Sequence, residues 1–408
     1  MKKRVVGAVT AMAISSLYSH ASGLDEANPS ESSFWGKLGF AYQFQDENRK
    51  SDADFSDKEN NAFSSSVVLG VSKDIGYGLA ITAEVAGWSD LGLDIADKGR
   101  VDSSDSTSAE ISEGYLSYKS ANTSIKAGRQ ALSPDISPWA WTDTTAGVKD
   151  WTYDGISIVN STLENTDIVA AWVVQGSRDS SQLQKVADNS GMFLLTVLNR
   201  SIENTTITLN ANYIPDSEMN ILTGMTTMKA DTWSLWATVV GAQGDIGWGV
   251  ETAYVDGDVK GWDSTYGIVA KLSGKWESLF VELRAGYIND GDYRLAMAGA
   301  GTGVEDSSFW TDTYDISGDT YGAEQLSIQA RVKYAVGEGS LYGLLGYWDF
   351  DEHPKWGDEK SAWNMQAGYK FRIYDIDAKL EYRYRDFDYY SSDSRSRQRI
   401  RIEAYYKF

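Results

Sequence analysis

The last twelve residues, Arg397-Gln398-Arg399-Ile400-Arg401-Ile402-Glu403-Ala404-Tyr405-Tyr406-Lys407-Phe408, decide how the chain folds. One parity reads Ile400, Ile402, Ala404, Tyr406, Phe408, and the other reads Arg397, Arg399, Arg401, Glu403, Tyr405, Lys407. Successive side chains of a strand point to opposite faces, so this is a strand with one apolar and one charged face. Helical spacing fits neither set.

The same rhythm runs back through the chain. Ala378, Leu380, Tyr382 and Tyr384 alternate with Asp377, Lys379, Glu381, Arg383 and Arg385, and Leu326, Ile328, Ala330, Val332 and Tyr334 alternate with Gln325, Ser327, Gln329, Arg331 and Lys333. Followed to Phe34–Phe44, it predicts about 18 strands of roughly 10 residues, the length a tilted strand needs to cross a bilayer. Short links such as Asp74-Ile75-Gly76, Ser120-Ala121-Asn122 and Tyr374-Asp375 take turns with long polar stretches at 45–62, 89–109, 133–152 and 289–322. Short turns at one end and long loops at the other are the pattern of an antiparallel transmembrane β-barrel, with periplasmic turns and extracellular loops.

Composition narrows the alternatives. Lys2, Lys3 and Arg4, the apolar run Val5–Leu17 and Ser19-His20-Ala21 read as a secretory leader, residues 1–21, leaving 22–408 as one barrel domain. Removing its three cations takes the formal charge from −21 to −24 (−21 − 3), which argues against nucleic-acid binding. Cysteine is absent, which excludes disulfides and thiolate chemistry, and only His353 remains beyond the leader. An outer-membrane lipase or protease would need a histidine base; His353, in Asp351-Glu352-His353-Pro354, is the one candidate, and no Gly-x-Ser-x-Gly elbow surrounds any serine. The expectation is a protein that is not an enzyme and holds no cofactor or metal. The 15 Trp and 24 Tyr are spread by alternation, and Trp35, Tyr77, Trp88, Tyr115, Tyr153, Trp276, Tyr287 and Tyr406, near strand ends, are expected to form interfacial girdles.

Energy assigns the two faces. A Lys or Arg on the lipid side of a barrel costs about 2–4 kcal/mol at mid-membrane, so strands carrying three or more cations must turn them to water. Some 18 strands enclose a lumen too wide for side chains to fill, so the apolar parity faces lipid. An open sheet edge in hydrocarbon would leave backbone groups unpaired at several kcal/mol each, so the sheet must close.

On this architecture, on Phe408 with Tyr406 before it, and on Gly128-Arg129-Gln130 leading into the third long stretch, the chain resembles the Gram-negative general porins and, more loosely, the OprD-like and major outer-membrane porins. The resemblance implies a water-filled channel of the outer membrane for passive diffusion of small hydrophilic solutes and ions. It further implies recognition of Phe408 by the outer-membrane assembly machinery, a bilayer and lipopolysaccharide environment, a possible homotrimer, and a third loop, 133–152, that folds inward to narrow the channel.

Two groups of residues would carry selectivity. Arg284, Arg331, Lys333, Lys370, Arg372, Lys379, Arg383, Arg385, Arg397, Arg399 and Arg401 share the inward parity and would form a basic strip. Either they merely solvate the lumen, pairing with Asp377, Glu381 and Glu403, or they draw anionic, carboxylate-bearing solutes, as the basic ladder of OprD-like porins suggests. In the third loop, Asp135, Asp143 and Asp150 with Trp139, Trp141 and Trp151 would form the constriction and set up a transverse field against that strip. A sugar-selective channel using these tryptophans, and a non-conducting adhesin or receptor, remain alternatives.

Overall fold

The computed structural model describes residues 32–48, 61–89, 108–132, 152–177, 183–185, 190–221, 226–293, 324–351, 359–389 and 394–408. The expected leader, His353, and Asp135, Trp139, Trp141, Asp143, Asp150 and Trp151 of the third loop lie outside the described residues. The strands in chain order are β1 (Ser33–Asn48), β2 (Asn61–Gly76), β3 (Leu79–Ser89), β4 (Ser108–Ser120), β5 (Thr123–Ala131), β6 (Thr152–Asn160), β7 (Thr166–Ser177), β8 (Leu183–Lys185), β9 (Met192–Asn199), β10 (Thr205–Ile221), β11 (Thr226–Gln243), β12 (Ile246–Gly257), β13 (Thr265–Trp276), β14 (Leu279–Ile288), β15 (Gln325–Val336), β16 (Gly339–Phe350), β17 (Glu359–Ile373), β18 (Ile376–Tyr389) and β19 (Arg395–Lys407). Among the described residues the three-residue β8 pairs with the end of β7, and the other 18 strands form an antiparallel ring in chain order, closed by β1 against β19.

Closure is carried at the chain ends. Gly36 N donates to Phe408 O at 2.8 Å and Phe408 N to Gly36 O at 3.0 Å. The Phe408 ring covers Gly36, where a Cβ would lie 2.2 Å from it, and leans on Phe34 and Tyr406. The eight short turns fall at this same end, and each contains a residue with positive φ, from Tyr77 and Ala121 to Gly337 and Tyr374. That backbone suits the right-handed twist of a tight hairpin.

The side chains sort as alternation requires. Leu272, Leu283, Ile328, Leu345, Leu380 and Ile402 are exposed on the outer face, while Gln43, Ser234, Gln329, Asn364, Arg385 and Arg401 are buried on the inner one. Part of the interior is nevertheless apolar. Val173, Met192, Leu194, Ile214, Trp236, Val255 and Val269 form one buried cluster inside the ring, together with Leu132 and Tyr153 at the two ends of the third loop and Val259 and Tyr293 from other loops. The inner face is therefore not polar all round: one sector of it is apolar.

The girdle assignment needs correction for four residues. Trp35 turns inward, donating from Nε1 to Glu84 at 2.8 Å; Trp88 packs on the buried Val68 and Ala86; Tyr115 lies under Lys126 Nζ at 4.7 Å; and Tyr153 joins the inner cluster. Proximity to a strand end does not say which face a ring takes. Tyr77, Trp276 and Tyr406 are exposed at the short-turn end as expected.

Since Leu283 projects outward from β14, Leu283→Arg should lower the unfolding free energy in lipid vesicles by about 2–4 kcal/mol. A denaturant midpoint equal to that of the unaltered barrel would contradict the outward assignment.

Candidate lumen site

Every cation expected in the basic strip falls on the inner parity of its strand. Register stacks them along the wall. From the short-turn end upward come Arg372 opposite Asp377, Lys370 opposite Lys379, Lys379 opposite Glu403, Glu381 opposite Arg401, Arg383 opposite Arg399, and Arg385 opposite Arg397. Lys333 and Arg331 lie on β15 and Arg284 on β14, so one strand, β16, separates this second group from the first.

Like charges directly opposite one another destabilise a sheet unless anions intervene. Here the carboxylates thread between them. Glu381, almost fully buried, takes Arg383 at 2.9 Å, Arg399 and Lys379 each at 3.7 Å, the Tyr342 hydroxyl at 2.7 Å and the Gln366 amide at 2.6 Å. Glu403 takes Lys379 at 2.6 Å and Arg401. On β14, Glu282 holds Arg284 at 2.6 Å and stands opposite Arg331. On β17–β19 eight of the named cations thus share the inner parity with three carboxylates threaded among them, Asp377, Glu381 and Glu403.

The facing wall is different in kind. In a closed ring of 18 strands the strand nine places on lies across the lumen, which sets β9 and β10 opposite β18 and β19. Their inner faces offer Met192, Leu194, Thr196, Asn210, Asn212 and Ile214, none of them charged. The amides form a ladder: Asn210 donates to Thr196 at 2.6 Å and Asn212 to Ser234 at 3.0 Å. A buried amide is tolerable only when so paired.

Several inner residues escaped the sequence reading. Lys271 stands opposite Arg284, flanked by the outward Ala270 and Leu272, so parity alone would have found it. Glu84, Glu110 and Glu113 lie on β3 and β4, across the ring from β13 and β14 with Lys271 and Arg284. Glu84, between the outward Ala83 and Val85, was as legible by parity as Lys271, but Glu110 and Glu113 were hidden by a bulge: Glu84 pairs with Glu113 but Val85 with Ile111, so Ser112 is extra and also turns inward, donating to Glu84 at 2.8 Å. Acidic groups facing cations therefore come from the barrel wall itself. No group of three or more acidic or histidine side chains among the described residues could hold a metal ion.

No protein-family model and no curated protein sequence matches the chain. Its structure matches solved ones. Pseudomonas aeruginosa OpdK with vanillate superposes with a TM-score of 0.68 at 12% identity, over 92% of this chain and 99% of that one. Pseudomonas aeruginosa OpdO gives 0.69 at 12% identity, over 93% and 97%. Acinetobacter baumannii OccAB4 gives 0.67 at 12% identity, over 93% and 99%. At such identities the likeness is one of architecture, and it spans nearly the whole chain. The protein has the fold of an OprD-like outer-membrane porin: a closed, lipid-facing antiparallel barrel of 18 strands with a polar strip on its inner wall.

Proposed function

We propose that the barrel is a passive channel for small hydrophilic solutes and ions, and that its basic strip favours solutes bearing a carboxylate. One observation carries the reading: eight cations against three carboxylates among the named inner residues of β17–β19, set across the ring from an uncharged wall of amide and apolar side chains. A low-dielectric wall focuses such a field along the water path, raising the local concentration of anions. The neutral wall leaves the body of the solute unopposed. OpdK, alike in fold, was solved with vanillate, a benzoic acid derivative, which is the same class of anion.

The third loop narrows this path in our reading. Leu132 and Tyr153, which flank it, are 1% and 2% exposed and belong to the inner apolar cluster, so the loop is anchored beside the apolar side of the lumen. Asp135, Asp143 and Asp150 would then join Glu84 and Glu113 in opposing the basic groups.

Reconstitution in a planar bilayer tests the channel directly, and a purified barrel that never conducts ends this reading in favour of an adhesin or receptor. In a salt gradient, replacing Arg383, Arg385, Arg399 and Arg401 with Ala should move the reversal potential toward cation preference. Glu381→Gln, which adds one positive charge to the strip, should move it the opposite way. An unmoved potential in both proteins would refute the role of the strip. Deleting Pro138–Thr145 should raise single-channel conductance, and unchanged conductance would place the loop outside the water path.

A further inference from the structure

The barrel wall is not evenly zipped. β4 pairs with β5 from Ser120 opposite Thr123 only as far as Gly114 opposite Arg129. On either side the ladders run further: β3 with β4 to Trp88 opposite Ser108, and β5 with β6 to Ala131 opposite Thr152. Above Arg129 the stem of the third loop therefore parts from β4, and no ladder pair joins the two strands there among the described residues.

Three irregularities converge on this point. Ser112 is the extra residue of the bulge on β4, Gly128 has φ +127°, and the β6–β7 ladder shifts register between Asp154 and Gly155. Gly128 must be glycine, because a Cβ would lie 2.3 Å from Gly114 O. The parted strands are then cross-tied by side chains. Arg129 projects to the outer face with Ile156 and Ile158, where an unpaired guanidinium would be costly. It grips Asp154 with two bonds, Nε to Oδ1 at 2.8 Å and Nη2 to Oδ2 at 3.2 Å, and its Nη1 donates to Ile111 O at 2.8 Å, a carbonyl beyond the last β4–β5 pair. On the same level Glu113 accepts from Ala131 N at 3.1 Å, and inside the barrel Gln130 accepts from Ser157 Oγ at 2.6 Å. One planar fork thus ties three strands, which an ammonium on a single stem cannot do.

We propose that Arg129 is a positioning residue: with Asp154 it holds the stem of the third loop against the wall where the ladder stops, and thereby steadies the width of the channel. The proposal rests on the channel reading above, so its test has one arm that needs no conduction. The full-length protein and its Arg129→Ala, Arg129→Lys and Asp154→Asn variants are refolded into detergent and compared by amide hydrogen exchange and by open-channel current noise in planar bilayers. In Arg129→Ala, exchange at 108–113 and 128–132 should rise about tenfold while the β18–β19 hairpin stays protected, and current fluctuations should grow several-fold. Arg129→Lys should fall between, since it keeps the pair with Asp154 and loses the tie to Ile111. Exchange and noise equal to those of the unaltered protein would overturn the proposal. A barrel that does not conduct yet shows the local rise in exchange would refute the channel and leave the tie standing. Should Arg129→Ala fail to reach the heat-modifiable folded form, Asp154→Asn decides: loosened exchange at 128–132 supports the tie, and wild-type exchange refutes it.

Discussion

A backbone amide or carbonyl in hydrocarbon has no water to turn to, so the sheet must satisfy every such group within itself. The closure of β1 on β19 follows from that constraint, as does the reciprocal bonding of Gly36 and Phe408 at the very end of the seam. An aromatic ring needs room to lie flat along a strand, and a missing Cβ at the neighbouring position supplies it. Gly36 under Phe408 on the outside and Gly70 under Trp35 on the inside are the same solution on opposite faces. The place where the rule is hardest to meet is the end of the β4–β5 ladder, where β4 runs on past its last pair with β5. There side chains take over the pairing that the backbone gives up.

Once the sheet is closed, alternation leaves the inner face free to vary without cost to the membrane fit. The inner wall divides into sectors: charged on β13–β15 and β17–β19, acidic on β3 and β4, neutral on β9–β11. Desolvating so many arginines would be prohibitive in a dry core. The carboxylates of Glu381 and Glu403, each shared among two or more cations, lower the repulsion enough for like charges to stand opposite one another while leaving the wall positive. The apolar sector meanwhile packs on itself and leaves the charged groups to the other side of the wall.

How much of this is legible in the sequence depends on whether each residue's chemistry marks its face. On β18 and β19 almost every inward residue is charged and almost every outward one is apolar, so strand, register and lumen assignment all follow from the text. Ring closure follows as well, from strand number and the cost of an edge. On β7 to β11 both faces are largely uncharged, as Val169 and Ala171 inside against Ala170 and Trp172 outside illustrate, and parity gives no sign of which side is wet. Trp35, Trp88, Tyr115 and Tyr153 fail for a related reason: an indole or a phenol suits a headgroup layer and a partly wet lumen equally well. Bulges compound the difficulty, since one extra residue at Ser112 flips the parity of everything before it on β4.

Arg129 shows the limit most clearly. Read by parity, Gly128-Arg129-Gln130 places an arginine on the lipid face next to Ala127 and Ala131, an arrangement the energy rule forbids for a lone charge. The rule holds, because the cation is neutralised by Asp154 two strand residues into β6, and that partner is separated from it by the whole third loop. A sequence reader who trusted the rule more than the local pattern would have concluded that an acid had to stand beside Arg129, and would have looked for it where β6 resumes. The violation of a strict physical constraint, more than agreement with it, was the signal available there.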